Sequence, residues 1–190
     1  MVAPLILASA SPRRHELLRQ IGLDFEVYAA DVDEHAAGAP AQVVCLLAER
    51  KAKAALARYP GRVILAADTL VYAQGQTLGK PKDAEDAMRM LRLLQGGWHE
   101  VYSGVCVIHG KEGQTHCRSD RTRVLFSPLT DQEMRAYVDS GEPFGKAGAY
   151  AVQGLAGQFV PRLEGSSSNV IGLPLHLVRE LLAESGVQLL

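Results

Sequence analysis

A four-residue apolar run, Leu5 to Ala8, leads directly into Ser9-Ala10-Ser11-Pro12-Arg13-Arg14. The run has the length and apolarity of a buried strand. Serine at an N-cap followed by proline at the first helical position starts a helix. Leu17, Leu18 and Ile21 supply its apolar stripe and Gly22 its stop. The chain therefore opens as strand, tight turn and helix, which commits it to packing helices on a sheet. The first helical turn carries Arg13, Arg14 and His15 where a helix built for stability carries Asp or Glu. An anion at the turn would remove the conflict, met by backbone N–H groups, the Ser9 and Ser11 hydroxyls and the two guanidiniums. A solvated basic first turn is the other reading.

Further along, helices and strands alternate. Phe25 to Ala29 reads as a strand, followed by the acidic loop Asp31-Val32-Asp33-Glu34. A helix is predicted from Gln42 to Tyr59, stopped by Pro60-Gly61. Val63 to Tyr72 is a nearly continuous apolar run broken only by Asp68-Thr69, and Gln74-Gly75 turns the chain back through Thr77-Leu78. Asp83 caps a third helix with Met88, Leu91 and Leu94 on its face. Two long β runs, His99 to His109 and Gln114 to Phe126, read as a hairpin turning between Gly110 and Gly113. Thr130-Asp131-Gln132-Glu133 is a capping box for a fourth helix, ended by Gly141-Glu142-Pro143. A glycine-rich stretch from Gly145 to Gly157, a late strand from Phe159 to Leu163 and a helix from Leu175 to Ala183 complete the chain. This pattern predicts a mixed sheet flanked by helices, α/β or α+β, in one domain over 1–190.

The bulk properties exclude several classes. A formal net charge of −1 and 6% aromatic residues leave neither a basic field nor stacking platforms for nucleic acid. No run approaches the roughly 18 apolar residues of a membrane span. Cys45, Cys106 and Cys117 are widely spaced and odd in number, so they read as reduced thiols of a cytoplasmic protein.

Single residues then carry the chemistry. Aspartate is depleted in strands, and a buried carboxylate needs a partner or a metal. Asp68 is either a general base or magnesium ligand facing a cleft, or an edge carboxylate facing solvent. Lys51 and Lys80 taken alone read as surface lysines. Asp33 and Glu34 read as a polar loop that can also supply metal oxygens. Gln153 offers a donor and an acceptor, matching the O4 and N3–H edge of uracil and thymine but not the amino group of cytosine. As part of a loop it needs no such role.

Taken together, these pieces resemble the Maf family of nucleotide pyrophosphatases over essentially the whole chain. The motifs are Leu7-Ala8-Ser9-Ala10-Ser11-Pro12-Arg13-Arg14, Ala48-Glu49-Arg50-Lys51-Ala52, Ala66-Ala67-Asp68-Thr69 and Gly79-Lys80-Pro81-Lys82-Asp83-Ala84. They continue as Ser140-Gly141-Glu142-Pro143, Lys146-Ala147-Gly148-Ala149-Tyr150 with Gln153-Gly154, and Gly172-Leu173-Pro174-Leu175. The resemblance implies an elongated, Maf/ITPase-like mixed sheet in two lobes with a central cleft, often as a homodimer. It implies hydrolysis of a nucleoside triphosphate to the monophosphate and pyrophosphate with Mg2+ or Mn2+. Asp68 matches the catalytic aspartate, and Arg13, Thr69 and Gln153 match positions of substrate choice. Ser9, Arg14, Lys51 and Lys80 match polar cleft residues, and Asp33 and Glu34 match its acidic position.

A glutamine at 153 resembles the branch acting on dTTP and UTP, with modified pyrimidine nucleotides as further candidates. The 7-methyl-GTP branch and a nucleotide-binding regulator of cell division with little turnover are the alternatives. The chain departs from the family pattern at Gly145, where aspartate is usual, and at Ser167, where an aromatic residue is usual.

Overall fold

A computed structural model of the protein describes residues 5–29, 31–110, 113–187 and 189. The strands are β1 (Leu5–Leu7), β2 (Phe25–Val27), β3 (Val63–Ala73), β4 (Gln76–Leu78), β5 (Trp98–His109), β6 (Gln114–Leu125) and β7 (Arg162–Glu164). The helices are α1 (Pro12–Gln20), α2 (Pro40–Arg58), α3 (Ala84–Leu94), α4 (Asp131–Asp139), α5 (Ser167–Ile171) and α6 (Leu175–Glu184). Among the described residues the strands form one mixed sheet in the order β2-β1-β3-β5-β6-β7, with β4 paired to β3. β1 runs parallel to both β2 and β3, whereas β4 and β7 are antiparallel to their neighbours. The mixed α/β class expected from the alternating pattern is the class observed.

The chain divides into two compact units, each with its own apolar core. One unit holds the chain up to Asp68, Ser103–Asp120 and everything from Gly172. Its core joins Ile6, Ala8, Ile64, Ala66, Cys106 and Ile108 of the sheet to Ala48, Ala52 and Ala55 of α2. The alanine face of α2 lets the helix lie close to the strands. Gly104 on β5 completes that fit, because a Cβ there would fall on the backbone of Val44 and Cys45. The other unit holds Thr69–Tyr102 and Arg121–Ile171. Its core packs Met88, Leu91 and Leu94 of α3 and Met134, Tyr137 and Val138 of α4 against Val71, Val101, Val124 and Phe126.

Helix starts follow the local rules. Both α1 and α2 begin on proline, and α4 has the full capping box between Thr130 and Glu133. Helix α2 begins at Pro40, two residues before the expected Gln42, because the fixed φ of proline suits the first turn. The expected strand from Phe159 to Leu163 is displaced. Residues Leu155–Phe159 form a 3-10 helix, closed by Gly157 N–H to Gly154 O at 3.0 Å and followed by Val160 N–H to Gly157 O at 3.2 Å. Pro161, with no N–H, separates that helix from β7. Phe159 faces the core, 5.5 Å from the Tyr137 ring. The short helix α5 carried no signal strong enough to predict it.

The three cysteines are also corrected. Cys106 and Cys117 form a disulfide, with their Cα atoms 4.2 Å apart, and Cys45 alone is free. The two lie on neighbouring strands of the β5–β6 hairpin, so an 11-residue separation closes on itself. Spacing rules based on CxxC pairs do not register such cross-strand partners.

In the second unit, His99 is 3% exposed and sits edge-on to Phe126 and Tyr150. Its Nε2 lies 2.8 Å from the Tyr150 hydroxyl, while Nδ1 is buried without a partner. Burial depresses its pKa from 6.5 to about 4. The neutral ring is the folded form, so its contribution to stability is complete above pH 6.5 and is lost as pH falls toward 4. The loss from this residue should be about 2 kcal/mol between pH 7 and pH 5. Urea unfolding across that range should show it, and His99→Gln should flatten the slope.

Candidate active site

Two strands, β1 and β3, arrange the ionisable residues. The last pairing of β1 with β3 sets Leu7 opposite Leu65, and Ala8 N–H still donates to Leu65 O at 2.8 Å. The chain then leaves the sheet as the Ser9–Arg14 turn, while β3 runs on to Asp68 and beyond. Asp68 therefore stands past the end of its neighbour β1, where a strand carboxylate need not face apolar side chains. Carboxyl ends of parallel strands are where open α/β sheets place ligands.

Around this end the first unit gathers a dense set of charges. Ser9 is 7% and Arg14 9% exposed, and the side chains of Lys51 and Asp68 are 11% and 13% exposed. Lys51 Nζ donates to Asp68 Oδ1 at 2.6 Å and lies 2.8 Å from Glu34 Oε1. The α2 register sets Lys51 there, since buried Ala48, Ala52 and Ala55 hold that helix on the sheet. The acidic loop that carries Glu34 is clipped to α2 as well. Arg50 Nη1 donates to the carbonyls of Asp33 and His35 at 3.0 and 2.8 Å.

The two arginines of the turn have separate fates. Arg14 points inward, its Nε donating to Gly172 O at 2.8 Å and its Nη1 to Ser9 Oγ at 3.0 Å. Burial pulls its pKa down to about 10, opposed by the charge of Asp68, so it stays a cation at neutral pH. Arg13 is half-buried at the first turn of α1. Ser11 is the N-cap, but its side chain makes no capping bond. Its N–H instead donates to Ser9 Oγ at 3.3 Å, and the His15 ring donates from Nε2 to Ser9 O at 2.9 Å.

Of the residues singled out in the sequence, Ser9, Arg14, Lys51, Asp68 and Glu34 come together in this unit, with Ser11 and Arg13 on the same turn. Asp33 does not join them. Its carboxylate is 70% exposed and accepts from the His35 N–H and ring at 2.9 and 2.8 Å. Those bonds hold its carboxyl below the ordinary aspartate range.

The second unit carries the other three. Thr69 follows Asp68 on β3, and Lys80 is exposed in the bend before α3. Gly148 N–H donates to Gly79 O at 3.0 Å, tying the Lys80 bend to the Lys146–Tyr150 segment. Gln153 is exposed at a turn closed by Gly154 N–H to Ala151 O at 3.0 Å.

Two glycines of this stretch sit where a side chain would collide with the protein itself. A Cβ on Gly148 would stand 2.7 Å from Val71 Cγ2, and one on Gly157 would stand 2.8 Å from Val152 O. Gly145 has φ +75°, which suits glycine where the family pattern has aspartate. Ser167 is exposed, and the late loop closes without it. Thr122 Oγ1 donates to Ser166 O and accepts from Ser166 N–H, both at 3.0 Å, and also accepts from buried Asn169 Nδ2 at 3.0 Å. The Gly172 carbonyl is the contributor that residue-by-residue reading missed. Gly172 stands 158 positions from Arg14 and acts through its carbonyl, which no side-chain signal marks.

A mixed sheet that collects its buried charges at the carboxyl end of β1, beside the middle of β3, defines an α/β protein with a preformed ionic site. The chain belongs to the family described as Maf-like protein, whose model matches residues 4–185. It is 46% identical over 188 residues to the "dTTP/UTP pyrophosphatase" of Pelotomaculum thermopropionicum, covering 98% of each chain. It is 50% identical over 187 residues to the protein of that name from Myxococcus xanthus, covering 97% of this chain and 94% of the relative. The solved structure of the Staphylococcus aureus Ham1 protein shares the fold, with a TM-score of 0.55 at 15% identity over 96% of this chain and 99% of that one.

Lysine's single ammonium cannot span the Ser9 hydroxyl and the Gly172 carbonyl as a guanidinium does. Arg14→Lys should therefore cost about 1–3 kcal/mol of stability, read as a lower thermal midpoint.

Proposed function

We propose that the protein hydrolyses dTTP and UTP to the nucleoside monophosphate and pyrophosphate, with modified pyrimidine nucleotides as further substrates. The observation that carries this reading is the nearly buried pairing of Lys51 with Asp68, joined at its exposed margin by Glu34, beside the Ser9–Arg14 turn. It sets a carboxylate, an ammonium and a helix N-terminus within one unit. The relatives at 46–50% identity over nearly the whole chain carry the corresponding name.

In this reading the phosphates lie against the Ser9–Arg14 turn. The N–H groups at the start of α1, Arg13 and Lys51 take phosphate oxygens. Arg14 keeps its bonds to Ser9 and Gly172 and contributes its charge from behind. Lys80 supplies a further cation to the triphosphate. Asp68 orients a water for attack on the α-phosphorus and accepts its proton, while Lys51 holds the carboxylate in place. Pyrophosphate leaves as the oxygens that gain charge are met by these preset cations. Thr69 and Arg13 contribute to substrate choice, and Gln153 reads the O4 and N3–H edge of the base.

A divalent cation fits this donor set. Among the described residues no group of three metal-ligating side chains forms. Asp68 and Glu34 nonetheless converge on one ammonium, and magnesium is commonly held by one or two carboxylates together with phosphate oxygens. Those two residues would hold Mg2+ or Mn2+, with Asp33 left outside. The cation supplies charge neutralisation at the phosphates. A cytoplasmic setting suits such a substrate, and no helix among the described residues is long and apolar enough to cross a membrane.

Asp68→Asn should lower metal-dependent pyrophosphate release from dTTP and UTP by at least about 100-fold, with circular dichroism and nucleotide binding retained. Full activity in that variant would sink the proposal. Gln153→Glu should abolish turnover of dTTP and UTP, and an unchanged pyrimidine preference would remove Gln153 from base reading.

A further inference from the structure

Gln153 sits at the tip of the turn from Ala151 to Gly154, and one backbone bond closes that turn. The chain leaving the turn is held by Glu142, thirteen positions before Leu155. Glu142 Oε2 accepts from Leu155 N–H at 2.8 Å, and its Oε1 accepts from Ala156 N–H at 3.2 Å. The carboxylate lies on the Gly154 backbone so closely that a Cβ there would collide with it.

Behind the turn, the same carboxylate is anchored to the core. Tyr137 Oη donates to Glu142 Oε1 at 2.9 Å. Tyr137 is 3% exposed and packs edge-on to Phe159. Ser140 Oγ braces the near side, accepting from Glu142 N–H at 3.2 Å and donating to Tyr137 O at 2.6 Å. Burial pushes the Glu142 carboxyl up. The Leu155 and Ala156 amides, the Tyr137 hydroxyl and the charge of Lys146 outweigh it and hold the group below the ordinary glutamate value. It is the anion that meets three donors.

We propose that Glu142 is the positioning residue for base choice: its carboxylate pins the exit of the Gln153 turn, so the Gln153 amide is offered to uracil or thymine in one fixed setting. This rests on Gln153 being the residue that reads the base. Only an orientationally fixed amide separates a carbonyl at C4 from an amino group there, because a free one rotates to satisfy either. The carboxylate is needed for its charge state as well as its shape. Glutamine has the same size but presents an NH2 to donors where an acceptor is required, and unpaired donors in a half-buried site are costly.

The test measures kcat/KM for UTP and CTP with the intact protein, alongside thermal midpoints. Glu142→Gln should lower the UTP-to-CTP ratio about tenfold or more, through loss on UTP rather than equal loss on both. Gly154→Ala should do the same by a different route. Its Cβ displaces the end of the Glu142 side chain while leaving its charge in place, so it answers the question even where Glu142→Gln folds poorly. Gln153→Ala should collapse the ratio, and adding Glu142→Gln to it should lower the ratio no further.

Equal loss on UTP and CTP in the Glu142 and Gly154 variants would make Glu142 a structural latch and overturn the proposal. A ratio that survives both substitutions while Gln153→Ala abolishes it would overturn the proposal and leave base reading intact. A ratio unaffected by Gln153→Ala would remove base reading, and the role of Glu142 with it.

Discussion

A charge taken out of water has to be paired, and at the end of β1 several are. Arg14, Lys51 and Asp68 are nearly buried, with Glu34 at their margin. Each alone would carry a desolvation cost of several kcal/mol. The cost is met because the fold ends β1 early and lets β3 continue. That leaves Asp68 beside a lysine from α2 instead of a strand neighbour. The alanine face of α2, the Gly104 gap on β5 and the clip of Arg50 on the acidic loop all serve the placement of that lysine and its partners. Paired buried charges add little net stability. Their placement is better explained by the site than by the fold.

Much of this was legible in the residues. The Ser9–Arg14 turn, the break in apolarity at Asp68 and the proline starts of helices follow local rules, and the structure follows them too. What stayed hidden depends on long separations. The tie from Arg14 to Gly172 joins positions 158 apart, and a carbonyl has no sequence signature. Asp33 and Glu34 are indistinguishable in sequence, yet one faces His35 and the other Lys51. The disulfide of Cys106 and Cys117 required the β5–β6 pairing to be known first.

The glycine-rich stretch shows the same limit from the other direction. Glycines beside a candidate ligand site invite the reading that a ligand comes close to the backbone. Here the close neighbours are Val71, Glu142 and the chain itself. The stretch is packed around, with side chains of Val71 and Glu142 and the Val152 carbonyl at the missing Cβ positions. Gly145 differs, being exposed with φ +75°, so its glycine answers a backbone need. A departure from a family pattern can thus be local conformation rather than lost chemistry.

The cations at the start of α1 resolve into two kinds. A helix N-terminus repels positive charge, so the two arginines in the first turn conflict with its field. Arg14 escapes the conflict by turning onto Gly172 O and Ser9 Oγ, and the His15 ring is likewise turned onto Ser9 O. In so doing they fix the turn from inside, and the Ser9 side chain is occupied by Arg14 and the Ser11 N–H. The resting cluster is then balanced, two cations of Arg14 and Lys51 against the carboxylates of Asp68 and Glu34. A polyanion entering a balanced cluster needs positive charge beyond it. Under the proposed function, Arg13, the N–H groups of α1 and a divalent cation held by the two carboxylates provide that charge. The two carboxylates that make Lys51 fully paired are thus the same groups that would make the site depend on a metal.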